Sequence, residues 1–166
     1  MDKKLLLVIL LLNCLSLTKA QSLNWFVSAH AGANNYKSAS MNGAVLGGFR
    51  NETGQQLAIG PVVKSFMLNG IMKNVVGGRV YSQMNLVGKV DAYLQCDISN
   101  TSQVQSANGL SPVRIETGMG LNFMLKENLG IGCGYTFGEY NPLTNHRNSS
   151  PSLKLVYVMP FFSNNL

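Results

Sequence analysis

The chain has 166 residues, of which 46% are hydrophobic and 12% are charged, and its formal net charge is +6. So little charge beside so many apolar residues excludes an intrinsically disordered chain, and 17 glycines without a three-residue period exclude collagen. Three cysteines are too few for a small disulfide-stapled domain. The length suits one domain, and no basic patch with interleaved aromatic residues indicates nucleic-acid binding.

The N-terminal residues have the pattern of a secretory signal peptide. A basic start precedes an apolar run over Leu5–Leu12, and small and polar residues follow up to Ala20. The run is too short to span a hydrocarbon core of about 30 Å. We therefore predict a signal peptide at residues 1–20 and one domain at 21–166. Lipoprotein cleavage before Cys14 is the alternative, although the residue before that cysteine lacks the usual small side chain.

After the signal peptide, apolar and polar residues alternate with a period of two, which predicts strands. The clearest segment runs from Leu129 to Tyr140, where one face is apolar and glycine recurs on the other. Because glycine weakens a strand, we attribute this face to a crowded barrel interior. The predicted strands cover residues 25–32, 43–50, 55–67, 75–83, 89–98, 113–126, 129–140 and 152–162.

The predicted connections alternate between long and short. The long ones are Ala33–Asn42, Leu68–Asn74, Ser99–Ser111 and Asn141–Pro151, and the short ones are Asn51–Gly54, Met84–Leu86 and Lys126–Asn128. The clearer strands are long enough to cross a tilted bilayer. Together these features predict an all-β fold, a closed antiparallel up-and-down eight-stranded transmembrane β-barrel with short periplasmic turns. A soluble lipocalin-like barrel, with its apolar faces inward, is the alternative.

One passage carries a family resemblance. Glu116–Tyr135 has a glycine-rich strand, an aromatic residue, a Lys-Glu-Asn turn, and then Asn-Leu-Gly and Gly-Tyr. It resembles the recurring hairpin of the small, porin-like eight-stranded outer-membrane β-barrel proteins of Gram-negative bacteria, and the signal ending Lys-Ala-Gln is similar to those of Bacteroidetes-type bacteria. The resemblance implies a location in the cell outer membrane. Barrels of this family usually end on an aromatic residue, whereas here Phe161 and Phe162 precede Ser163–Leu166.

The predicted inward faces carry charged side chains that we expect to fill the lumen. Eight strands leave an interior just wide enough for side chains, and buried charges without partners are costly. The predicted lumen charges are Lys64, Arg79, Lys89, Asp91, Asp97, Arg114, Glu116 and Lys154. Since the fifth and sixth strands are hairpin neighbours, Lys89 or Asp91 is expected to pair with a charge of the sixth strand. These charges form either a structural plug or a gated ion path.

The outward faces are predicted to contact lipid. Their predicted lipid-facing residues are Leu94, Cys96, Met119, Leu121, Phe123, Ile131, Cys133, Tyr135, Leu155 and Tyr157. Cys96 and Cys133 lie on strands separated by the sixth strand, about 9–10 Å apart, which is too far for a disulfide. We therefore predict two free thiols. Aromatic residues are expected at both rims, with Trp25 at the periplasmic rim and Tyr140 near the outer one.

Catalytic residues are scarce. His30 falls on an inner face, where we expect it to bond a neighbour, and His146 lies near Ser149 and Ser150 in a predicted loop. Nucleophilic catalysis needs a serine held by a base, and closeness in sequence does not establish that. The chain has no phosphate-binding loop and no metal-spaced His/Cys cluster, so we predict no enzyme activity and no cofactor.

We therefore predict a non-catalytic outer-membrane barrel with a structural, accessory or surface-interaction role. The predicted partners are outer-membrane lipid or lipopolysaccharide, an envelope protein complex, and the outer-membrane assembly machinery, but no nucleic acid. A small-ion or small-solute channel is the first alternative. A lipid-modifying hydrolase is the second.

Overall fold

The computed structural model of the protein describes residues 23–36, 38–101, 113–144 and 146–160. Eight antiparallel strands each pair with the next, and the last pairs with the first, which closes a barrel. The strands are β1 Leu23–Tyr36, β2 Ser38–Asn51, β3 Gln56–Leu68, β4 Ile71–Val87, β5 Val90–Asn100, β6 Val113–Lys126, β7 Leu129–Asn141 and β8 His146–Pro160. The predicted fold class is confirmed.

Some predictions fall outside the described residues. They concern the signal peptide at residues 1–20, most of the predicted loop after β5, and the end of the chain from Phe161 to Leu166. In the described part of the chain, no helix is long and apolar enough to cross a membrane.

The outer wall of the barrel is apolar, because side chains alternate between its two faces. Leu121, Ile131 and Leu155 are 45%, 48% and 46% exposed. The inward positions between them are small or polar, and Asn122 and Lys154 are buried there. An apolar outside around a polar inside is the arrangement of a transmembrane barrel and the opposite of a lipocalin-like barrel.

Part of the lumen is nevertheless apolar. Phe26 lies near the start of β1, and Val158 lies near the end of β8. Leu46 and Val62 project inward from β2 and β3. These side chains form one buried cluster with Ala44, Ala58, Tyr81, Tyr93 and Val156. The remaining inward positions are mostly polar or charged, and the charged ones lie on β3–β8.

The strands are longer than predicted, and most of the long loops are absent. We call the end with connections at residues 52–55, 88–89 and 127–128 the turn end, and the opposite end the loop end. The predicted loop Ala33–Asn42 is a continuation of β1 and β2, which pair from Leu23↔Asn51 to Tyr36↔Ser38. The strands are extended because backbone pairing continues to the end of the hairpin, through polar residues as well.

Two further loop predictions are wrong for the same reason. Leu68–Asn74 contains only the two-residue turn Asn69-Gly70, with φ of 50° and 78°. An Asn-Gly pair favours such a hairpin because both residues accept positive φ. In place of the predicted loop Asn141–Pro151, only residues 142–145 connect β7 to β8. The longest connection is the one between β5 and β6.

The fourth and fifth strands also meet at a different place from the predicted Met84–Leu86. β4 continues to Val87, and the turn is Gly88-Lys89, next to a register shift between Asn85 and Val87. Lys89 is therefore an exposed turn residue.

Candidate functional site

Buried charges form the most distinctive feature of the lumen. Within the described residues, four basic and four acidic side chains are buried, so their formal charges balance. They are Lys64 on β3, Arg79 on β4, Asp91 and Asp97 on β5, Arg114 and Glu116 on β6, Glu139 on β7 and Lys154 on β8.

The central cluster consists of Lys64, Arg79, Asp97 and Glu116. Arg79 binds Asp97 through two parallel hydrogen bonds, with Nε to Oδ1 at 2.7 Å and Nη2 to Oδ2 at 2.9 Å. Lys64 Nζ lies 2.7 Å from the same carboxylate and also donates to Glu116. All four side chains are buried, so each charge depends on the others for the solvation that water would otherwise supply.

The central cluster extends to the opposite wall. Arg79 Nη2 donates to Asn42 Oδ1 on β2 at 3.2 Å, and the backbone N–H of Tyr140 on β7 donates to Glu116 Oε1 at 3.1 Å. The cluster thereby links β2 through β7 across the lumen. Each added hydrogen bond satisfies a group that would otherwise be buried without a partner.

Lys154 is solvated by aromatic rings instead of a carboxylate. Its ammonium nitrogen lies 3.4 Å from the centroid of the Tyr93 ring and 4.8 Å from that of Tyr81, and it donates to Gln95 Oε1 at 2.6 Å. The negative faces of the rings attract a cation. The His30 ring meets Tyr81 edge-on at 4.6 Å between centroids, so an aromatic layer lies beneath the central cluster.

Glycines on β6 and β7 make room for this layer. A side chain at Gly134 would collide with the Tyr93 hydroxyl, and one at Gly120 would lie 2.8 Å from it. Gly132 similarly faces the Asn122 amide. The glycine face predicted from the sequence is therefore the space that Tyr93 and Asn122 occupy.

A chain of amides connects the aromatic layer to the turn end. Asn122 Nδ2 donates to Tyr81 Oη at 2.7 Å and to Gln83 Oε1 at 2.9 Å. Gln83 Nε2 in turn donates to Asp91 Oδ2 at 2.7 Å, and Asn85 Nδ2 donates to Asp91 Oδ1 at 2.8 Å. The carboxylate of Asp91 is thus held by neutral amides.

Glu139 and Arg114 occupy the loop end of the lumen. Asn34 Nδ2 donates to Glu139 Oε2 at 3.0 Å, and Ser40 Oγ lies 3.3 Å from both carboxylate oxygens. Arg114 stacks over the Tyr140 ring at 4.6 Å. These contacts lie between the loop end and the central cluster.

The turn end opens into a cavity of about 490 Å³ with a charged rim. Asp91 lies at its inner side, and Arg50, Lys89, Lys126 and Glu127 are exposed around it. The charged rim is separated from the central cluster by the amides and the aromatic layer.

The described residues include no group of three or more His, Cys, Asp or Glu side chains that could hold a metal ion.

Comparisons with known proteins give similarity in fold only. No protein-family model matches the chain, and no curated protein matches it. Neisserial surface protein A has a TM-score of 0.46 at 14% sequence identity, with 84% of this chain and 97% of that chain covered. A structure from the de novo design of transmembrane β-barrels has a TM-score of 0.47 at 12% identity, with 82% and 95% covered.

The structure places seven of the eight predicted lumen charges inside the barrel. The exception is Lys89, which the β4–β5 turn carries into solvent. The predicted hairpin pairs are also wrong, because the register sets Asp91 opposite Asn122 and Asp97 opposite Glu116. Alternation assigns a residue to a face, whereas pairing depends on its depth along the barrel.

The ten predicted lipid-facing residues lie on the outer wall. Seven are exposed, whereas Leu94, Cys96 and Met119 are half-buried. Cys96 and Cys133 are free thiols on β5 and β7, with β6 between them.

Neither histidine is placed for nucleophilic catalysis. His30 is buried, and neither of its ring nitrogens has a hydrogen-bond partner among the described residues, contrary to the expected bond to a neighbour. His146 is exposed at the start of β8, and Ser149 and Ser150 follow on the same extended strand. Three or four residues of strand separate the backbones by about 10–13 Å. The Ser149 hydroxyl instead accepts the N–H of Gly138 at 3.3 Å.

Sequence reasoning missed Glu139 and misplaced Tyr140. Strict alternation places Glu139 on the outer face, but the register shifts between Thr136 and Glu139, where Gly138 has a φ of 68°. Glu139 is buried as a result, and Tyr140, expected near the outer rim, is buried beside it. A glycine followed by a charged residue near a strand end was the available signal for a bulge.

Proposed function

We propose that the protein is a non-catalytic β-barrel of the cell outer membrane whose lumen is closed by its own side chains. In this role it acts as a structural, accessory or surface-interaction protein. The observation that carries the proposal is the central cluster, in which Lys64, Arg79, Asp97 and Glu116 join the four consecutive strands β3–β6 through the lumen. Such a cluster fills the space that a solute would need.

The apolar outer wall supports the membrane location. A closed barrel pairs every strand edge, so its backbone can enter hydrocarbon without unsatisfied polar groups. The side chains at the turn-end rim include Trp25, which is 63% exposed and packs on Phe49 at 3.9 Å between ring centroids. Tyr135 and Phe137 lie near the loop end, 5.0 Å apart. Aromatic rings at both ends are typical of membrane interfaces.

Because the described connections are short, we infer that the barrel contacts its partners through its wall or its rim. Among the connections between the described strands, only the one between β5 and β6 is longer than four residues. The contact surfaces that the structure describes are the apolar wall and the strand ends. Lipopolysaccharide, a larger envelope complex and the assembly machinery remain the proposed partners, because each of them meets a barrel at its wall or rim.

Conductance in planar bilayers tests the closed lumen. The purified protein is reconstituted in a planar bilayer, and a porin in a separate bilayer is the positive control for conductance. We expect no discrete conductance from the wild-type protein or from Arg114→Ala. Discrete conductance that Arg114→Ala changes would favour the ion-channel alternative, since Arg114 lies at the loop end of the lumen.

Extraction from native membranes tests the accessory role. The tagged protein is solubilised in a mild detergent, and co-purifying proteins are identified against an untagged control. A reproducible stoichiometric companion is expected. Its absence would contradict the accessory role and leave a stand-alone barrel.

A further inference from the structure

An indentation in the outer wall lies across β4, β5 and β6. It has a volume of about 380 Å³, within the range of about 300–1,000 Å³ that small-molecule sites occupy. We call it the wall groove. Its outward-facing side chains are Ser82, Met84, Ala92, Leu94, Met119 and Leu121.

The register explains why the wall is indented here. Ala92 on β5 lies between Met84 on β4 and Leu121 on β6, so a methyl group is flanked by two long side chains. Leu94 lies between Ser82 and Met119, so on this row the small side chain is Ser82 on β4. Ser82 is buried, although it belongs to the outward-facing row. The floor of the wall groove therefore lies below the surrounding apolar surface.

Two cations lie at the turn end of the strands that carry the wall groove, Lys89 after β4 and Lys126 at the end of β6, and both also line the turn-end cavity. Lys89 precedes Ala92 by three residues, about 10 Å along a strand. The Met124 N–H donates to the Lys89 carbonyl at 2.8 Å, which brings the β4–β5 turn beside the end of β6, where Lys126 is exposed. Glu127 follows, which leaves one net positive charge on these two turns, and Glu52 and Asp91 line the same cavity.

The expected position of the membrane surface places the wall groove and the two lysines at depths that one lipid molecule would span. Phe123 is exposed on β6 and faces Val90 in the register, one residue after Lys89. Rings of this kind and Trp25 are typical of the interface. A lysine just beyond this level lies at the depth of lipid phosphates, while the wall groove lies at the depth of acyl chains.

We propose that the wall groove binds one anionic glycerophospholipid, with an acyl chain along Ala92 and Leu94 and its phosphate at Lys89 and Lys126. The inference rests on the proposed membrane location and narrows its lipid partner to one chemistry at one place. The apolar lining matches a hydrocarbon chain, and the two lysines complement a phosphate. A second copy of the chain would leave both lysines facing a like-charged surface.

Native mass spectrometry of the folded barrel tests the proposal with phosphatidylglycerol as the probe. Phosphatidylcholine serves as the zwitterionic comparison. We expect one phosphatidylglycerol retained per chain after bulk lipid is removed, in preference to phosphatidylcholine. Ala92→Trp fills the wall groove and should weaken retention at least about tenfold. Its matched control is Ala31→Trp, an exposed position on β1 away from the groove.

A second variant leaves the wall unchanged. Lys89→Gln should weaken phosphatidylglycerol retention about fivefold, the effect of one lysine at an anionic surface, whereas Lys73→Gln at the other end of the barrel should not. Equal retention by Ala92→Trp and Ala31→Trp, or no effect of Lys89→Gln, would overturn the proposal. A folded, non-conducting barrel that retains no phosphatidylglycerol would also overturn it, while leaving the proposed function intact.

Discussion

Lys64 on β3 donates to Glu116 on β6 across the lumen, although β4 and β5 lie between them in the wall. Lys64 also binds Asp97 on β5, and Arg79 on β4 binds Asp97 from the other side. One lysine and one arginine thus neutralise two carboxylates in a space without bulk water. We expect such a cluster in a filled barrel and not in an aqueous channel.

Loss of Lys64 should strongly destabilise the barrel. Lys64→Met leaves Glu116 without its ammonium partner and Asp97 with Arg79 alone, and breaking a buried ion pair costs about 3–5 kcal/mol. Reversible urea unfolding in lipid vesicles measures the change. Lys126→Met is the control in phosphatidylcholine vesicles, which lack the anionic lipid proposed to bind there, because Lys126 is exposed and should change the free energy of unfolding by less than about 0.5 kcal/mol. Equal stability of the two variants would contradict the role of the central cluster.

Gly134 should tolerate no side chain. Gly134→Ala places a Cβ against the Tyr93 hydroxyl and the Met119 carbonyl, and overpacking of this kind costs about 1–3 kcal/mol. The control is Gly47→Ala on the outer face, where a Cβ meets no atom within 4 Å. Its stability should be unchanged or higher by up to about 1 kcal/mol, because alanine reduces the entropy of the unfolded chain. A neutral Gly134→Ala would mean that Tyr93 does not fill this space.

Both thiols of the described barrel should be free. Cys96 and Cys133 lie on strands that are not neighbours, so no disulfide can join them without moving β6. Mass spectrometry after alkylation without reductant should find both cysteines modified in the unfolded protein. A bridge between them would contradict the strand order.

Trp25 should report the turn-end interface. It is 63% exposed on the outer wall and packs on Phe49. On insertion into vesicles its emission should shift to the blue, and lipids brominated near the headgroup should quench it more than lipids brominated near the chain end. Uniform quenching at all depths, or none, would contradict an interfacial position. Trp25→Phe supplies the background, since the chain has one tryptophan.

The fold could be predicted from the sequence because alternation is a local property. Each strand needs only its own residues to separate an apolar from a polar face, and eight such segments were recognisable. The turns were harder to place. The pairing of β1 and β2 continues to Tyr36 and Ser38 through polar residues, where alternation gives no signal, so the sequence predicts a loop at Ala33–Asn42. The Asn69-Gly70 pair is a local turn signal that alternation alone does not use.

The partners inside the lumen could not be predicted in the same way. Alternation places Asp91 and Glu116 on the inner face but gives no depth, and the two lie at different levels. Contacts across the lumen, such as Lys64 with Glu116, depend on how the strands are staggered around the barrel. One bulged residue at Gly138 was enough to move Glu139 from the predicted outer face to the inside.

The cost of a charge on the outer wall tests the membrane barrel most directly. Val45 is 56% exposed midway along β2, and Leu86 is 53% exposed at the turn end of β4. In urea unfolding from phospholipid vesicles, Val45→Arg should lower the free energy of unfolding by about 2–4 kcal/mol and Leu86→Arg by about 0–1 kcal/mol. Equal, negligible costs at both positions, with a wild-type protein that stays soluble without detergent, would contradict a barrel whose wall faces lipid.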